Sequence, residues 1–245
     1  MSEGRFFKIL DTVDSTNNYA MAKVHAGLAN HGMLWFAHEQ TAGKGQRGKD
    51  WKTESRKNIS MSLVLQPEQL GAGQQFFLSA AIALGCFDFF SKYAGDETKI
   101  KWPNDLYWRD RKAGGILIEN VFHGKEWKWA IVGIGVNINQ TEFDASLQNP
   151  VSLKQITGKQ FDVVLLARQL YQLMMKYYDE LVEGSSGWVL ESYNRHLYKL
   201  NKQVTLRKDD RYFETIIKEV SPEGRLLTVD ETDRQFDFGE VEWVL

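Results

Sequence analysis

The chain has 245 residues, 43% of them hydrophobic and 25% charged, with a formal net charge of −2 at pH 7. That composition fills an ordinary globular core and excludes a disordered chain. The near-neutral balance excludes a protein built to neutralise nucleic-acid phosphates, although one local basic loop remains compatible with it. The single cysteine, Cys86, lies in the apolar stretch SAAIALGCFDFF, which rules out an internal disulfide or a thiolate zinc cluster and marks it as a packing residue. MSEGRFFKIL lacks a basic-then-apolar leader pattern, and no run is read as long enough to span a membrane. A cytoplasmic protein with neither membrane nor nucleic-acid partner is expected.

In chain order, Arg5 to Thr12 reads as a first element, followed by a helix over YAMAKVHAGLA. Asp14, Ser15 or Thr16 is its expected cap, and Tyr19, Ala22 and Ala26 its expected inner face. MLWFAHEQ and Asn58 to Pro67 are strands, the second alternating Ile59, Met61, Leu63 and Leu65 with Ser60 and Ser62. Gln74 to Tyr93 is apolar nearly all round and reads as a buried helix. KIKWPND is a strand cut short by Pro103, and AGGILIENVF with WKWAIVGIGVNIN forms a hairpin across HGKE. Phe161 to Glu183 carries Leu166, Leu170, Leu173, Met174, Tyr177 and Leu181 at helical spacing behind an Asp162 cap, and a further helix runs from Gly187 to Tyr198. From Lys202 onward the pattern changes to five short strands, the size of an SH3-like β-barrel. The expected fold class is α+β, a central mixed sheet with flanking helices over residues 1–198, followed by a small β-domain over 199–245.

Four stretches carry candidate chemistry. TAGKGQRGKDW, Thr41 to Trp51, sets glycines among Lys44, Arg47 and Lys49. Backbone amides and cations there can cradle an anion, and a solvated turn explains the composition equally well. No Ser or Thr follows a Gly-Lys pair at Walker spacing, and no apolar helix follows the glycines as in a dinucleotide fingerprint. KWPNDLYW places Lys101, Asn104 and Asp105 around a rigid Pro103, a set suited to a polyphosphate with Mg²⁺ or to a plain Asn-Asp turn. RKAGGILIE puts Lys112 before a Gly-Gly pair that marks a close approach or a bulge. VGIGVNIN puts Gly133 and Gly135 on one strand face, leaving room for a flat ligand or a neighbouring helix.

Taken in order, DSTNNYA, EQTAGKGQRGKDW, KWPNDLYW, RKAGGILIE, VGIGVNIN and NPVSLKQITGK resemble the biotin–protein ligases, also called holocarboxylase synthetases, over essentially the whole chain. The resemblance implies a class II synthetase-like catalytic fold and an ATP-dependent biotin–[acetyl-CoA-carboxylase] ligase. Such an enzyme makes biotinyl-5′-AMP with MgATP, then passes biotin to a lysine of a biotin carboxyl carrier protein or domain. It further implies that Ser15, Thr16, Asn17 and Gln40 bind the ureido end of biotin. Lys44, Gly45 and Gln46 would close over it, with Gly115 in the pocket floor. Arg47, Trp51, Lys101, Asn104, Asp105, Gly133 and Asn137 would serve the nucleotide, and QTEFDASLQNP a second loop over it. Lys112, Arg47, Lys101 and Asp105 are the expected catalytic residues, Lys112 meeting both the biotin carboxylate and the α-phosphoryl charge; Asp105 is also a candidate base for the acceptor lysine. The Mg²⁺ ligands are not specified.

Two departures stand out. Lys44 and Gln46 occupy a loop that is often richer in arginine in that family, and lysine loses the bidentate fork. The pattern begins by Asp14, so no N-terminal DNA-binding domain is expected. Lipoate ligases, with the same catalytic fold and other signatures, are one alternative, and a biotin- or nucleotide-binding regulator with a degenerate site is another. A homodimer is compatible with the resemblance but not specified by the sequence.

Overall fold

Seven strands form one sheet whose spatial order departs from chain order. In the computed structural model, which describes residues 6–184 and 186–244, β1 (Phe7–Val13), β2 (Leu34–Gln40), β3 (Ile59–Leu65), β4 (Thr98–Lys101), β5 (Asp105–Trp108), β6 (Arg111–His123) and β7 (Glu126–Val136) lie as β1-β2-β3-β7-β6-β5-β4. β1 and β2 are parallel and the remaining neighbours antiparallel. Arg5 and Leu245, the outer ends of the first and last expected elements, lie outside the described residues. The β6–β7 hairpin turns at Gly124, whose φ of +61° suits glycine.

One face of this sheet packs on α2 (Gln75–Ala94) and α4 (Val163–Glu183), with Phe36, Met61 and Leu63 in the shared core. The two helices approach closely because α2 has Gly85 at the crossing; a Cβ there would lie 3.3 Å from the Met174 Cα. Contrary to the sequence expectation, the stretch Ala72–Ala94 is long and apolar enough to cross a membrane by length and composition. Most of it is buried inside the protein, between sheet and helices. Cys86 lies within it, 1% exposed, and burial pushes its thiol up to about 12, which removes it as a nucleophile.

The opposite face carries α1 (Thr16–His25), whose Ala20 and Val24 pack with Trp35, Val64 and Ile131. Its buried residues are Thr16, Asn17, Ala20 and Val24, while Ala22 and Ala26, expected inside, are exposed. Two polar side chains take the inner face because of what lies beneath them, described below. The Asp162 cap is present, accepting from the Leu165 amide at 3.0 Å. A short helix α3 (Leu153–Thr157), absent from the sequence reading, starts at a Ser152/Gln155 capping box. α5 (Gly187–Arg195) stops earlier than expected because Leu197 and Tyr198 leave it to bond the edge strand β4. The Ile100 amide donates to the His196 carbonyl at 3.0 Å and the Tyr198 amide to the Ile100 carbonyl at 2.8 Å.

That edge leads into the second sheet. β8 (Gln203–Lys208), β9 (Arg211–Val220), β10 (Leu226–Val229), β11 (Asp233–Phe236) and β12 (Glu242–Val244) form an antiparallel sheet in the order β11-β10-β9-β8-β12. The Trp102 indole donates to the Gly224 carbonyl at 2.9 Å, tying this sheet to the turn that begins KWPND's return into β5.

Candidate active site

On the α1 face, three adjacent strands place small residues side by side. Ser60 of β3 pairs with Gly135 of β7, which pairs with Gly115 of β6, and that residue faces Asp105 of β5. One step along, Ser62 pairs with Gly133 and Gly133 with Leu117. Because successive residues alternate faces, these positions share one side of the sheet. The result is a trough whose floor is backbone. Side chains from outside the sheet lie directly on it. A Cβ at Gly133 would come within 2.3 Å of Asn17 Oδ1, and one at Gly135 within 2.2 Å of the Trp51 indole.

The first turn of α1 forms one wall. Ser15 sits at the N-cap, 1% exposed, and makes no side-chain bond to the helix. The Thr16 amide and hydroxyl both donate to Gln40 Oε1, at 2.7 and 3.1 Å. Asn17 donates to Glu119 Oε2 at 2.7 Å and faces the Ser62 hydroxyl, which also lies 2.8 Å from Thr16 Oγ1. Both faces of β3 are buried, and its Ser62 serves this wall.

The glycine-rich loop crosses above the trough. Gly43 accepts from the Trp51 amide at 2.8 Å, and the Gly45 amide donates to Lys49 at 2.7 Å. Gly43 is required there, since a Cβ would lie 2.4 Å from the Trp51 carbonyl oxygen. Beyond these closures the tethers are long. Gln46 Nε2 reaches the Ile116 carbonyl at 3.4 Å, and Arg47, at φ +55°, reaches the Gly239 carbonyl of the second sheet at 3.5 Å. Lys44 is exposed, its backbone paired with Asp50. The Trp51 indole nitrogen is buried without an acceptor, although it lies on the floor of a polar trough.

The remaining wall is cationic. Lys112 and Asp105 pair at 2.6 Å above Gly115, close enough that a Cβ there would be in ordinary contact with both. A β-bulge, one of the two readings of the Gly-Gly pair, lies just before it: Leu106 faces Gly114 and Tyr107 faces Lys112, which skips Ala113 and brings Lys112 back to the Asp105 side. Asn104 donates to the Ile116 carbonyl at 2.6 Å, fixing the turn that presents Asp105. Lys101 lies nearby, lowered to about 8 chiefly by burial; Asp105 opposes that shift, while Lys112 and Lys49 reinforce it. Within a chain of net charge −2, cations thus converge on one end of the trough.

The geometry coincides with a family assignment. Residues 9–137, more than half of the chain, match the profile of the Biotin/lipoate A/B protein ligase family. The chain belongs to that family. It is 27% identical over 227 residues to the bifunctional ligase/repressor BirA of Escherichia coli, covering 92% of this chain and 70% of that protein. It is 36% identical over 161 residues to the biotin–[acetyl-CoA-carboxylase] ligase of Paracoccus denitrificans, covering 63% and 65%. The bacterial ligase/repressors are matched over only 42% to 70% of their own length. The fold is that of the Aquifex aeolicus biotin protein ligase solved with biotin and ATP, with a TM-score of 0.81 at 23% identity over 96% of this chain and 97% of that one.

In this ligase-family member most of the sequence-nominated residues converge on the trough: Thr16, Asn17, Gln40, Gln46, Trp51, Asn104, Asp105, Lys112, Gly115 and Gly133 are linked through the contacts above. Asn137 differs. Its side-chain amide donates to the Lys112 and Val151 carbonyls at 3.4 and 3.2 Å, so it fastens the end of β7 to the strand carrying Lys112. The QTEFDASLQNP segment meets the glycine-rich loop through an exposed Lys52–Asp144 pair at 3.8 Å. Sequence reasoning missed Ser60 and Ser62 as floor residues, Glu119 as the Asn17 partner, and Tyr107 and Trp243 beside Lys101. The serines had a signal: their alternation matches that of Gly133 and Gly135 two residues at a time.

Proposed function

We propose that the chain is a biotin–protein ligase, and the observation that carries this reading is the backbone-floored trough ending at the Lys112–Asp105 pair. A flat bicyclic acid suits a backbone floor bounded by Asn17 over Gly133 and the Trp51 indole over Gly135. Its polar end meets Ser15, Thr16, Asn17 and Gln40, and its carboxylate extends toward Lys112. In the first step the carboxylate oxygen attacks the α-phosphorus of ATP, the bond from that phosphorus to the bridging oxygen breaks, and pyrophosphate leaves. Two anions must meet for this to happen. Lys112 and Lys101 offset their repulsion and stabilise charge growing on the phosphoryl oxygens, and the loop that bears Arg47 closes over them. The orphaned Trp51 indole nitrogen is a donor to the adenylate.

In the second step the amine of an acceptor lysine attacks the acyl carbon, the bond to the phosphate oxygen breaks, and AMP departs. Asp105 is the carboxylate within reach to take the amine proton. No enzyme nucleophile is needed. The acceptor is the carrier domain of a biotin-dependent carboxylase, in keeping with the activity named for the Paracoccus denitrificans relative.

Among the described residues no group of three or more His, Cys, Asp or Glu is placed to hold a metal. Asp105 is the carboxylate at the cationic end, and Mg²⁺ entering on the triphosphate would need few protein carboxylates and keep most of its waters. When bound it supplies charge neutralisation between phosphate oxygens. The test is incubation with MgATP, a carrier domain, and either biotin or lipoic acid. Mass addition of biotin at one lysine is expected; no labelling, or labelling by lipoic acid alone, refutes the assignment.

A further inference from the structure

Lys101 ends β4 beside the cationic end of the trough, and its ammonium is held between two rings. Its Nζ donates to the Tyr107 hydroxyl at 3.2 Å and lies 4.8 Å from that ring's centroid. It also lies 5.4 Å from the centroid of the Trp243 indole. Both distances fall within the range at which a cation is attracted by an aromatic face. Tyr107 is 3% exposed on the neighbouring strand β5. Trp243 belongs to β12, the last strand of the second sheet, and packs on Tyr198 with ring centroids 5.6 Å apart. Tyr198 in turn donates to Asp110 at 2.7 Å, and Asp110 pairs with Lys199 at 2.7 Å. A chain of contacts thus fixes the indole from behind.

We propose that Trp243 is a positioning residue for nucleotide activation: with Tyr107 it forms an aromatic cage that keeps the Lys101 ammonium charged and aimed at the incoming triphosphate. This inference rests on the ligase reading given above. Lys101 forms no ion pair among the described residues. The carboxylate near it, Asp105, is held by Lys112, and both Lys112 and Lys49 bring like charge toward it. Burial already lowers Lys101 to about 8, so little else keeps its charge in place. Ring faces supply attraction without an anion that would compete with phosphate for the same ammonium. The second sheet is then part of the nucleotide site, through a residue more than one hundred and forty positions beyond Lys101 in sequence.

Three variants separate this role from packing. Trp243→Leu fills much of the volume but has no π face, Trp243→Phe keeps a face, and Tyr107→Phe removes only the hydroxyl acceptor. In biotin-dependent ATP–pyrophosphate exchange, Trp243→Leu is expected to raise KM for ATP about tenfold with kcat less affected. Biotin affinity by calorimetry should be unchanged, Trp243→Phe should stay within about threefold of wild type, and Tyr107→Phe should fall between them. The Lys101 ε-methylene NMR signal, assigned with Lys101→Arg, should lose its upfield ring-current shift in Trp243→Leu. Wild-type KM in Trp243→Leu, equal damage in Trp243→Phe, or a parallel loss of biotin affinity overturns the proposal. If the wild type shows no exchange at all, the ligase reading fails; an Lys101 signal unmoved by Trp243→Leu overturns the cage by itself.

Discussion

The trough floor and the loop above it are built by opposite means. The floor is central sheet, with Ser60, Gly135, Gly115 and Asp105 in register across β3, β7, β6 and β5. Every step is fixed by paired backbone, and the features that matter are absences of side chains. The loop has a short internal closure and two side-chain tethers, at 3.4 and 3.5 Å, to the Ile116 and Gly239 carbonyls. Interactions of that length release easily. The difference teaches a division of labour: the sheet sets where the reacting groups meet, and the loop sets when the site is open. A mixed anhydride hydrolyses readily, so closure that excludes water belongs on the mobile partner.

If the floor sets the geometry, the greatest losses come from groups anchored to it. Lys112→Ala should lower biotin-dependent ATP–pyrophosphate exchange by about 10²–10³-fold with far-ultraviolet circular dichroism unchanged; near-wild-type exchange would remove Lys112 from the chemistry. Gly135→Ala brings a Cβ into the Trp51 ring, so one must move. Overpacking of this kind costs about 1–3 kcal/mol, and a lower Tm is expected together with a KM for ATP raised by roughly tenfold or more. A variant with both values unaltered would show that Trp51 does not rest on the floor.

The pH profile probes the cationic end. Lys101 is lowered to about 8 by burial, with Asp105 favouring its charge and Lys112 and Lys49 opposing it. The charged form is the one that serves phosphate and predominates below that value. kcat/KM for ATP should therefore fall as pH rises through about 8, by up to about tenfold per further unit, and Lys101→Arg should remove this limb. A profile flat from pH 7 to 10 would take Lys101 out of nucleotide binding. The smallest effect belongs to the loop. Arg47→Ala deletes an exposed, long tether, so a change of only about three- to tenfold in KM for ATP with constant Tm would sharpen the contrast. A loss as large as that of Lys112→Ala would erase it.

The strands and long helices were legible because their periods are clean: β3 alternates, α4 repeats at helical spacing behind Asp162, and β6 and β7 flank a four-residue turn signal. The site motifs were legible only as an ordered set that resembles a known family, since KWPND and RKAGG taken singly suit a plain turn and a bulge equally well. Other features depended on tertiary context. The inner face of α1 was misplaced because Thr16 and Asn17 look polar, and only contact with Ser62, Gln40 and Glu119 makes burying them favourable. The end of α5 was overrun because Leu197 and Tyr198 suit a helix equally well, until β4 offers them a backbone edge. Trp243 could not be read as a neighbour of Lys101, since that contact requires the second sheet to fold back on the first.

The Lys112–Asp105 contact has a consequence for how an acid enters the site. Before any ligand arrives, Lys112 already has a resident counter-ion at 2.6 Å. Capture of a carboxylate is then a swap of one anion for another at the same ammonium, which the fold has already withdrawn in part from water. Asp105, released from its partner in the swap, is left without that counter-ion for the later step in which a proton must be received.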